Sequence, residues 1–288
     1  MLGREGRKWK MKNYVEGKSM IVTGAGGGFG RLISQKAAAL GARIICADIN
    51  RANAEETAST IAKEGGCAKA VETDVSDLEQ MKRLAATAVA EFGAIDVMVN
   101  NAGIMPLALY ADHEAAMDKW SKCIDINFKG VLHGIVSVYD QMMSQGSGHV
   151  VNISSIYGNF PVLGAAVYGA TKSAVNYLSE SLRVEARGKI KVTIVKPTGV
   201  PGTGLARGVV NNQAVVGIVG HNAPEYIALM RELIEGKTKP EKLDPNNTDY
   251  IVLDPAFIAD EVIHAINQPS GVSIGDITVR AAGDHFVL

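Results

Sequence analysis

The chain has 288 residues, and its 29 lysines and arginines nearly balance its 30 aspartates and glutamates, giving a formal net charge of −1. This balance argues against a partner recognised through bulk charge, such as nucleic acid or an anionic membrane surface. The length suffices for one large domain with a substantial core, and a hydrophobic content of 47% is ordinary for a soluble globular protein.

Residues 1–18 are polar and basic, and we expect them to form an N-terminal extension before a single domain at 19–288. The basic cluster at 4–12 leaves contact with a polyanion open as an alternative. The extension lacks the apolar run of a secretory signal. The sequence contains no run of about 18 uninterrupted apolar residues, so we expect no membrane span. The scattered cysteines and histidines show no disulfide or metal-ligand spacing. We therefore expect a cytoplasmic protein without a metal site.

Short β-branched segments alternate with alanine-rich helical patterns from residue 19 to about 200. This alternation, with strands that are nearly continuously apolar, predicts an α/β fold: a doubly wound parallel β-sheet with helices on both faces. Strands are predicted at 19–24, 42–48, 67–74, 95–101, 148–155 and 190–197. Helices are predicted at 29–40, 51–64, 77–92, about 113–145 and 165–186.

Residues 198–250, called the lid segment below, interrupt this alternation. They are rich in glycine, proline and asparagine and contain a helical pattern near 223–236. Long excursions in compact domains are often binding loops, so we expect this segment to cover a substrate. A helix at 255–267 and a strand in "SIGDITVR" complete the domain.

The first strand leads into the glycine-rich stretch "VTGAGGGFGRL" at 22–32. Gly24, Gly28 and Gly30 lie between a predicted strand and a predicted helix, with Phe29 among them. Glycines here let the backbone approach a pyrophosphate, and the helix N-terminus supplies unpaired N–H groups. The stretch therefore predicts a dinucleotide site, with a purely structural turn as the alternative.

Asp48 ends the second predicted strand, 18 residues after Gly30, where dinucleotide-binding folds keep an acid for the ribose hydroxyls. A carboxylate accepts hydrogen bonds from a bare ribose and repels a 2′-phosphate, which favours NAD(H) over NADP(H). Arg51, three residues later, would weaken this preference unless it is solvated.

These motifs and the ones that follow resemble the short-chain dehydrogenase/reductase family over nearly the whole chain. The family's motifs occur in its order: TGxxxGxG from Thr23, a strand-end acid at Asp48, an Asp-Val pair at Asp74, NNAG from Asn100, a mid-helix asparagine at Asn127, a serine at Ser155 and YxxxK from Tyr168. The family's serine precedes its tyrosine by thirteen residues, which selects Ser155 over Ser154.

The resemblance implies hydride transfer between a nicotinamide cofactor and an alcohol or ketone. It implies that the catalytic residues are Asn127, Ser155, Tyr168 and Lys172. It implies that the cofactor contacts Gly24, Gly28, Phe29, Gly30, Asp48, Ile49, Asp74, Val75, Asn101, Ala102, Gly103, Tyr168, Lys172 and Val200.

Residue chemistry suggests how the catalytic set works. A free phenol has a pKa of about 10, too high for proton transfer near neutrality. We expect the Lys172 ammonium and an oxidised nicotinamide ring to lower the pKa of Tyr168, so that it takes the alcohol proton or returns it to a ketone. Ser155 would hold the reacting oxygen. By the resemblance, Asn127 would anchor a water leading to Lys172; the alternative is that it satisfies a backbone group of a helix.

The chain departs from the family after the sixth strand, where the family's PGxVxT is replaced by "PTGVPGT". Thr198 stands in place of the first glycine, Val200 keeps its place, and Thr203 arrives one residue late. The final strand is similar to that of a family branch that often uses NADP, which opposes the Asp48 argument mildly.

Substrate contacts are predicted for Ser155, Tyr157 and Tyr168, although Tyr157 could instead only cover the core. Apolar residues expected at the cleft mouth favour a bulky hydrophobic alcohol, such as a hydroxysteroid; they are Met105, Pro106, Leu107, Tyr157, Phe160 and Val162. Alternatives are a 3-oxoacyl or small hydroxy-acid reductase, with Arg207 the nearby cation, and a non-catalytic NAD-binding regulatory protein. By the resemblance we also expect a homo-oligomer, either a dimer or a tetramer.

Overall fold

The computed structural model describes residues 12–286. Most of the expected N-terminal extension, including all of the basic cluster at 4–12 except Lys12, lies outside these residues. The described part that precedes the first strand packs onto the domain. Val15 is fully buried, the Asn13 side chain donates to the Leu40 carbonyl at 2.8 Å, and the Tyr14 N–H donates to Asn267 Oδ1 at 2.7 Å.

The described residues form one seven-stranded parallel sheet, which confirms the predicted fold class. The spatial order is β3-β2-β1-β4-β5-β6-β7. The strands are β1 Ser19–Thr23, β2 Arg43–Asp48, β3 Cys67–Glu72, β4 Val97–Asn100, β5 Gly148–Ile153, β6 Ile190–Pro197 and β7 Asp276–Val279.

Helices follow the strands as the sequence pattern predicts. They are α1 Gly28–Ala39, α2 Arg51–Lys63, α3 Leu78–Phe92, α4 His113–Cys123, α5 Gly130–Gln145, α6 Ala166–Glu185, α7 Asn212–Val219, α8 Ala223–Ile234 and α9 Pro255–Ile266. The single helix predicted at about 113–145 is divided, because the turn Ile124–Lys129 between α4 and α5 is π-helical. Such turns are rare and often lie at functional sites. Within the part of the chain that the structure describes, no helix combines the length and apolar character needed to cross a membrane.

Alternating strand side chains build a core on each face of the sheet. Met20 and Val22 of β1 face the layer that holds α1, α2 and α9, whereas Ile21 faces α3, α5 and α6. A third apolar cluster lies beyond the strand ends, where α7 packs on the start of α6.

The order of the strands fixes where a ligand can bind. The chain proceeds from β1 outward to β3, then returns to β4 on the other side of β1. The loops after β1 and β4 therefore diverge and leave a crevice at the carboxyl ends of these strands, which is where open α/β sheets bind ligands.

Candidate active site

A cleft of about 750 Å³ runs along the carboxyl ends of the strands. The glycine-rich turn lies at one end, Ser155, Tyr168 and Lys172 lie at its middle, and the lid segment covers the other end. All the residues predicted to contact the cofactor line this cleft except Gly30. The structure therefore brings together residues that are up to 176 positions apart (Gly24 to Val200) in the sequence.

Gly24, Gly28 and Gly30 of the glycine-rich turn lie at positions where a side chain would be strained or crowded. Gly24 and Gly28 have φ angles of +64° and +48°, in the region that favours glycine. A Cβ on Gly30 would lie 2.1 Å from the Gly24 carbonyl oxygen, so Gly30 packs beneath the turn instead of facing the cleft.

Gly27, which the sequence argument did not single out, caps α1 at the cleft. It offers no side chain to the first helical turn, and a Cβ there would meet no atom within 4 Å. The unpaired N–H groups of α1 thus face open space beside a close-packed glycine turn. This cradle fits the pyrophosphate of a dinucleotide.

Asp48 is held by backbone groups at the end of β2. Its Oδ2 accepts from the Gly26 N–H at 2.9 Å, and its Oδ1 accepts from the Asn50 N–H at 2.8 Å. Arg51 is 70% exposed in its side chain and pairs with Glu55 at 2.7 Å. The carboxylate is therefore fixed at the cleft, and the adjacent arginine is engaged elsewhere.

Asp74 and Val75 extend the same end of the cleft at the close of β3. Asp74 Oδ1 accepts from the Ser76 N–H at 2.9 Å and the Ser76 hydroxyl at 2.7 Å, which shapes the turn. Val75 is almost completely buried, while Ile49 is 61% exposed at the rim. The pair Val75 and Ile49 offers apolar surface to a flat ring.

Asn101 supports the glycine turn from the end of β4. Its Nδ2 donates to the Thr23 carbonyl at 2.8 Å, and the Thr23 hydroxyl accepts from the N–H groups of Asn101 and Ala102 at 3.0 and 3.2 Å. The side-chain amide is thus used mainly to join β1 to β4. Ala102 and Gly103 continue along the cleft floor.

Asn127 is completely buried in the π-helical turn. Its Oδ1 accepts from the Ile104 N–H and its Nδ2 donates to the Ile104 carbonyl, both at 2.9 Å. The amide therefore binds both backbone polar groups of one residue in the cleft wall. These backbone groups belong to the loop after β4 and not to a helix, which differs from the helix alternative considered for Asn127. The water-anchoring role of Asn127 stays a prediction.

Ser155, Tyr168 and Lys172 come together from the end of β5 and the first turns of α6, and each is 5% exposed. The Lys172 ammonium donates to the Ile153 carbonyl at 2.8 Å and lies 5.8 Å from the centre of the Tyr168 ring. The Ser154 hydroxyl donates to the Lys172 carbonyl at 3.1 Å, which joins the end of β5 to α6.

Burial sets the protonation of this group in the ligand-free protein. It raises the pKa of the Tyr168 phenol to about 12, an increase that the nearby Ser155 hydroxyl opposes. It also lowers the pKa of Lys172 to about 8. In the ligand-free protein the phenol pKa is thus raised and not lowered, because loss of water is the largest effect. The expected lowering also requires an oxidised nicotinamide ring, so it stays a prediction. A further cation beside the phenol would oppose the effect of burial.

Tyr157 joins the active site to the lid segment. Its hydroxyl donates to the Ile218 carbonyl in α7 at 3.3 Å, and burial raises its pKa. Its ring lines the cleft and also packs in the apolar cluster with Tyr168, so it does more than cover the core. Its contact with a substrate stays a prediction.

Other substrate-side predictions are met in part. Met105 and Leu107 line the cleft, whereas Pro106, Phe160 and Val162 do not, and Arg207 is exposed outside it. Further apolar residues line the cleft without having been predicted from the sequence; they include Tyr226, Met230, Leu233, Ile251, Val252 and Phe286. The spacing of the first three along α8 marks one helix face and was a usable signal. Phe286 had no local signal.

Within residues 12–286, no group of three or more His, Cys, Asp or Glu side chains is arranged to hold a metal ion.

Comparison with known proteins gives consistent matches. The family model described as short chain dehydrogenase matches residues 18–214. An oxidoreductase of Staphylococcus aureus (strain MW2), named as uncharacterized, is 30% identical over 263 residues, covering 91% of this chain and 96% of the relative.

Two solved structures extend the likeness to the fold. A short chain dehydrogenase/reductase from Burkholderia phymatum in complex with NAD has a TM-score of 0.73 at 26% identity, covering 93% of this chain and 90% of that one. A metagenomic short-chain oxidoreductase in complex with NADP has a TM-score of 0.70 at 25% identity, covering 93% of this chain and 98% of that one. The two neighbours carry different cofactors, so likeness alone does not select between NAD and NADP.

Proposed function

Because this chain belongs to the short chain dehydrogenase family, we propose that it is an NAD(H)-dependent oxidoreductase that interconverts a bulky, apolar secondary alcohol and its ketone. The observation that carries this proposal is the buried group of Ser155, Tyr168 and Lys172 in an apolar cleft beside the glycine turn.

The proposed reaction divides hydride and proton between cofactor and protein. A nicotinamide cofactor bound in the cleft would supply a hydride acceptor for the alcohol carbon and a hydride donor for the ketone, and its oxidised form would carry a positive charge. The Tyr168 phenol oxygen takes the hydroxyl proton during oxidation and supplies it during reduction. The Ser155 hydroxyl orients the reacting oxygen. Lys172, oriented by the Ile153 carbonyl, stabilises negative charge on the phenol.

The choice of NAD(H) rests on the fixed carboxylate of Asp48. A 2′-phosphate about 5 Å away, at an effective dielectric of about 20, would be disfavoured by roughly 3 kcal/mol per unit charge. The pairing of Arg51 with Glu55 supports the same choice, because a free arginine would favour the phosphate.

The choice of a bulky neutral substrate rests on the charges of the cleft. Its lining contains Asp48 and Asp74 at the cofactor end, and Lys172 is the sole cation among the described lining residues. A small hydroxy acid would need a further cation for its carboxylate. The aromatic and aliphatic wall suits a hydroxysteroid or a similar polycyclic alcohol.

The test is a turnover screen. The purified protein would be mixed with NAD⁺ or NADP⁺ and steroid, bile-acid, aromatic and short-chain secondary alcohols, and reduced cofactor would be measured, together with the reverse reaction. We expect turnover with a bulky alcohol and NAD⁺. Absence of turnover in both directions, despite cofactor binding, would contradict the enzymatic role and favour a binding protein.

A further inference from the structure

Residues 280–286, called the closing segment below, follow β7 and turn back across the substrate end of the cleft. The Gly283 N–H donates to the Tyr250 carbonyl at 2.8 Å, which joins the segment to the end of the lid. Phe286 lines the cleft and packs against the apolar cluster that contains Tyr157 and Tyr168. The segment therefore contributes to the wall of the cavity.

Asp284 holds this segment in place. Its side chain is 1% exposed and forms an ion pair with Arg280. Its Oδ2 accepts from the Thr198 hydroxyl at 2.8 Å, and its Oδ1 accepts from the Phe286 N–H at 3.2 Å. Arg280 also donates to the Phe286 carbonyl at 3.1 Å. The two members of the ion pair thus bind both backbone polar groups of Phe286: Asp284 binds its N–H and Arg280 binds its carbonyl.

Thr198 connects the closing segment to the loop after β6. Its N–H donates to the Val279 carbonyl at 3.1 Å, and its hydroxyl reaches Asp284. This is the position where the short-chain dehydrogenase pattern has glycine, which has no hydroxyl to donate. The departure from the pattern therefore has a structural consequence: a link between the closing segment and the loop that contains Val200.

The Phe286 ring occupies space left by a missing side chain. A Cβ on Gly199 would lie 1.8 Å from the ring, so any other residue there would displace it. The ring also meets Tyr226 edge to face, with centroids 5.9 Å apart. Phe286 and the Tyr226 face of α8 form one aromatic corner of the cleft.

We propose that Phe286 limits the size of the substrate that the cleft admits, and that Asp284 is a positioning residue that holds Phe286 there through Arg280 and Thr198. The kinetic part rests on the proposed function. The substrate class is an apolar alcohol whose rigid body contacts an aromatic ring.

Phe286 is tested by the selectivity of the full-length enzyme. Values of kcat/KM would be measured for cyclohexanol, a decalin alcohol and a hydroxysteroid in wild type, Phe286→Ala and Phe286→Trp. We expect the steroid-to-cyclohexanol ratio to rise about tenfold with alanine and to fall by a similar factor with tryptophan. Phe257→Ala, at a 38% exposed phenylalanine on α9 outside the cleft, is the matched control and should leave the ratio unchanged.

A ratio unchanged in both Phe286 variants of an active enzyme would overturn the role of Phe286 alone. Absence of turnover by the wild type would instead contradict the proposed function, and the size limit with it.

Asp284 is tested without turnover, by amide hydrogen exchange of the cofactor-free full chain. Asp284→Asn removes the charge of the buried carboxylate, and Thr198→Val removes the hydroxyl that donates to it. Each variant should therefore increase amide hydrogen exchange at 280–286 by about tenfold or more. Thr198→Ser keeps the hydroxyl and should exchange nearly as the wild type does. Wild-type exchange in both Asp284→Asn and Thr198→Val would overturn the positioning role.

In the active enzyme, Asp284→Asn should also change the substrate ratio in the direction of Phe286→Ala, with KM for the steroid affected more than kcat. An unchanged ratio would show that Asp284 only stabilises the fold, which contradicts its positioning role.

Discussion

The Lys172 ammonium donates to the carbonyl of Ile153 at 2.8 Å and lies 5.8 Å from the centre of the Tyr168 ring. The end of β5 thus orients the lysine of α6 toward the phenol one turn earlier. Both groups are buried, so the protein holds a neutral phenol of raised pKa beside a lysine of lowered pKa. A charged group that enters the cleft would therefore shift the pKa values of both residues.

Tyr168→Phe should abolish proton transfer while leaving the fold intact, because only the buried hydroxyl is lost. We expect kcat to fall about 1,000-fold, within the usual range for a general acid or base, with NAD⁺ affinity little changed. Steady-state kinetics and calorimetric titration measure the two quantities. Tyr177→Phe, at a 77% exposed tyrosine on the same helix, is the control and should retain full activity. Wild-type kcat in Tyr168→Phe would exclude Tyr168 as the acid or base.

Lys172→Met should make the stability of the cofactor-free protein less dependent on pH. Burial lowers the pKa of Lys172 from 10.5 to about 8. Burying the charged ammonium therefore lowers the unfolding free energy, fully below about pH 8 and progressively less as the pH rises toward 10.5. Methionine removes the charge. The variant should therefore gain about 2 kcal/mol more in unfolding free energy at pH 7 than at pH 9.5, as measured by urea titration.

The exposed Lys119 of α4 provides the control for this measurement. Lys119→Met should change stability by a similar small amount at both pH values. A difference between pH 7 and pH 9.5 in Lys172→Met no larger than that in the control would contradict the burial of a charged Lys172.

Asp48→Asn should relax the choice of cofactor. The amide is isosteric and keeps an oxygen for the Gly26 N–H, but it removes the negative charge that repels a 2′-phosphate. The ratio of NAD⁺ to NADP⁺ affinity should fall by roughly 100-fold, equivalent to about 3 kcal/mol. Isothermal titration calorimetry measures both constants. Asp118→Asn, at an exposed residue of α4, should preserve the ratio, and equal wild-type affinities for the two nucleotides would disprove the assignment.

Alanine substitutions should distinguish Gly30, which packs beneath the turn, from Gly27, which faces the proposed cofactor site, by their effects on stability and on NAD⁺ affinity. Gly30→Ala places a Cβ 2.1 Å from the Gly24 carbonyl oxygen and should lower the unfolding free energy by about 3 kcal/mol. Gly27→Ala meets no atom, at an extended φ of −168°, so stability should stay within about 0.5 kcal/mol while NAD⁺ affinity falls about tenfold or more. Thermal unfolding and calorimetry measure these effects.

Gly271→Ala also meets no atom within 4 Å and lies outside the cleft, so it should alter neither quantity. If Gly27→Ala bound the cofactor as tightly as Gly271→Ala does, the open end of α1 would not be the pyrophosphate site.

The sequence predicted most of the architecture because its signals are local. Apolar strand segments, helix periodicity and the glycine turn each depend on neighbours along the chain. The βαβ order that they predict requires a parallel sheet, which the structure confirms. The family resemblance identified Ser155, Tyr168 and Lys172 as one group, and the structure places all three in one cleft.

Sequence reasoning was less successful where a residue's role depends on distant partners. Asn127 and Asn101 satisfy backbone groups 23 and 78 positions away, and no local pattern shows that their amides are used in this way. The raised pKa of Tyr168 depends on how completely α6 and α7 exclude water, which composition does not reveal.

The sequence by itself determined the parallel α/β fold and the dinucleotide-type turn, because hydrophobic periodicity and glycine spacing are local signals. It indicated the candidate proton-transfer residues through the motifs that it shares with a known family. Only the tertiary structure decided the shape of the substrate end. There Asp284 meets Thr198 across 86 positions, and Phe286 fills the space beside Gly199. Such contacts depend on the packing of segments whose approach is set by the whole sheet.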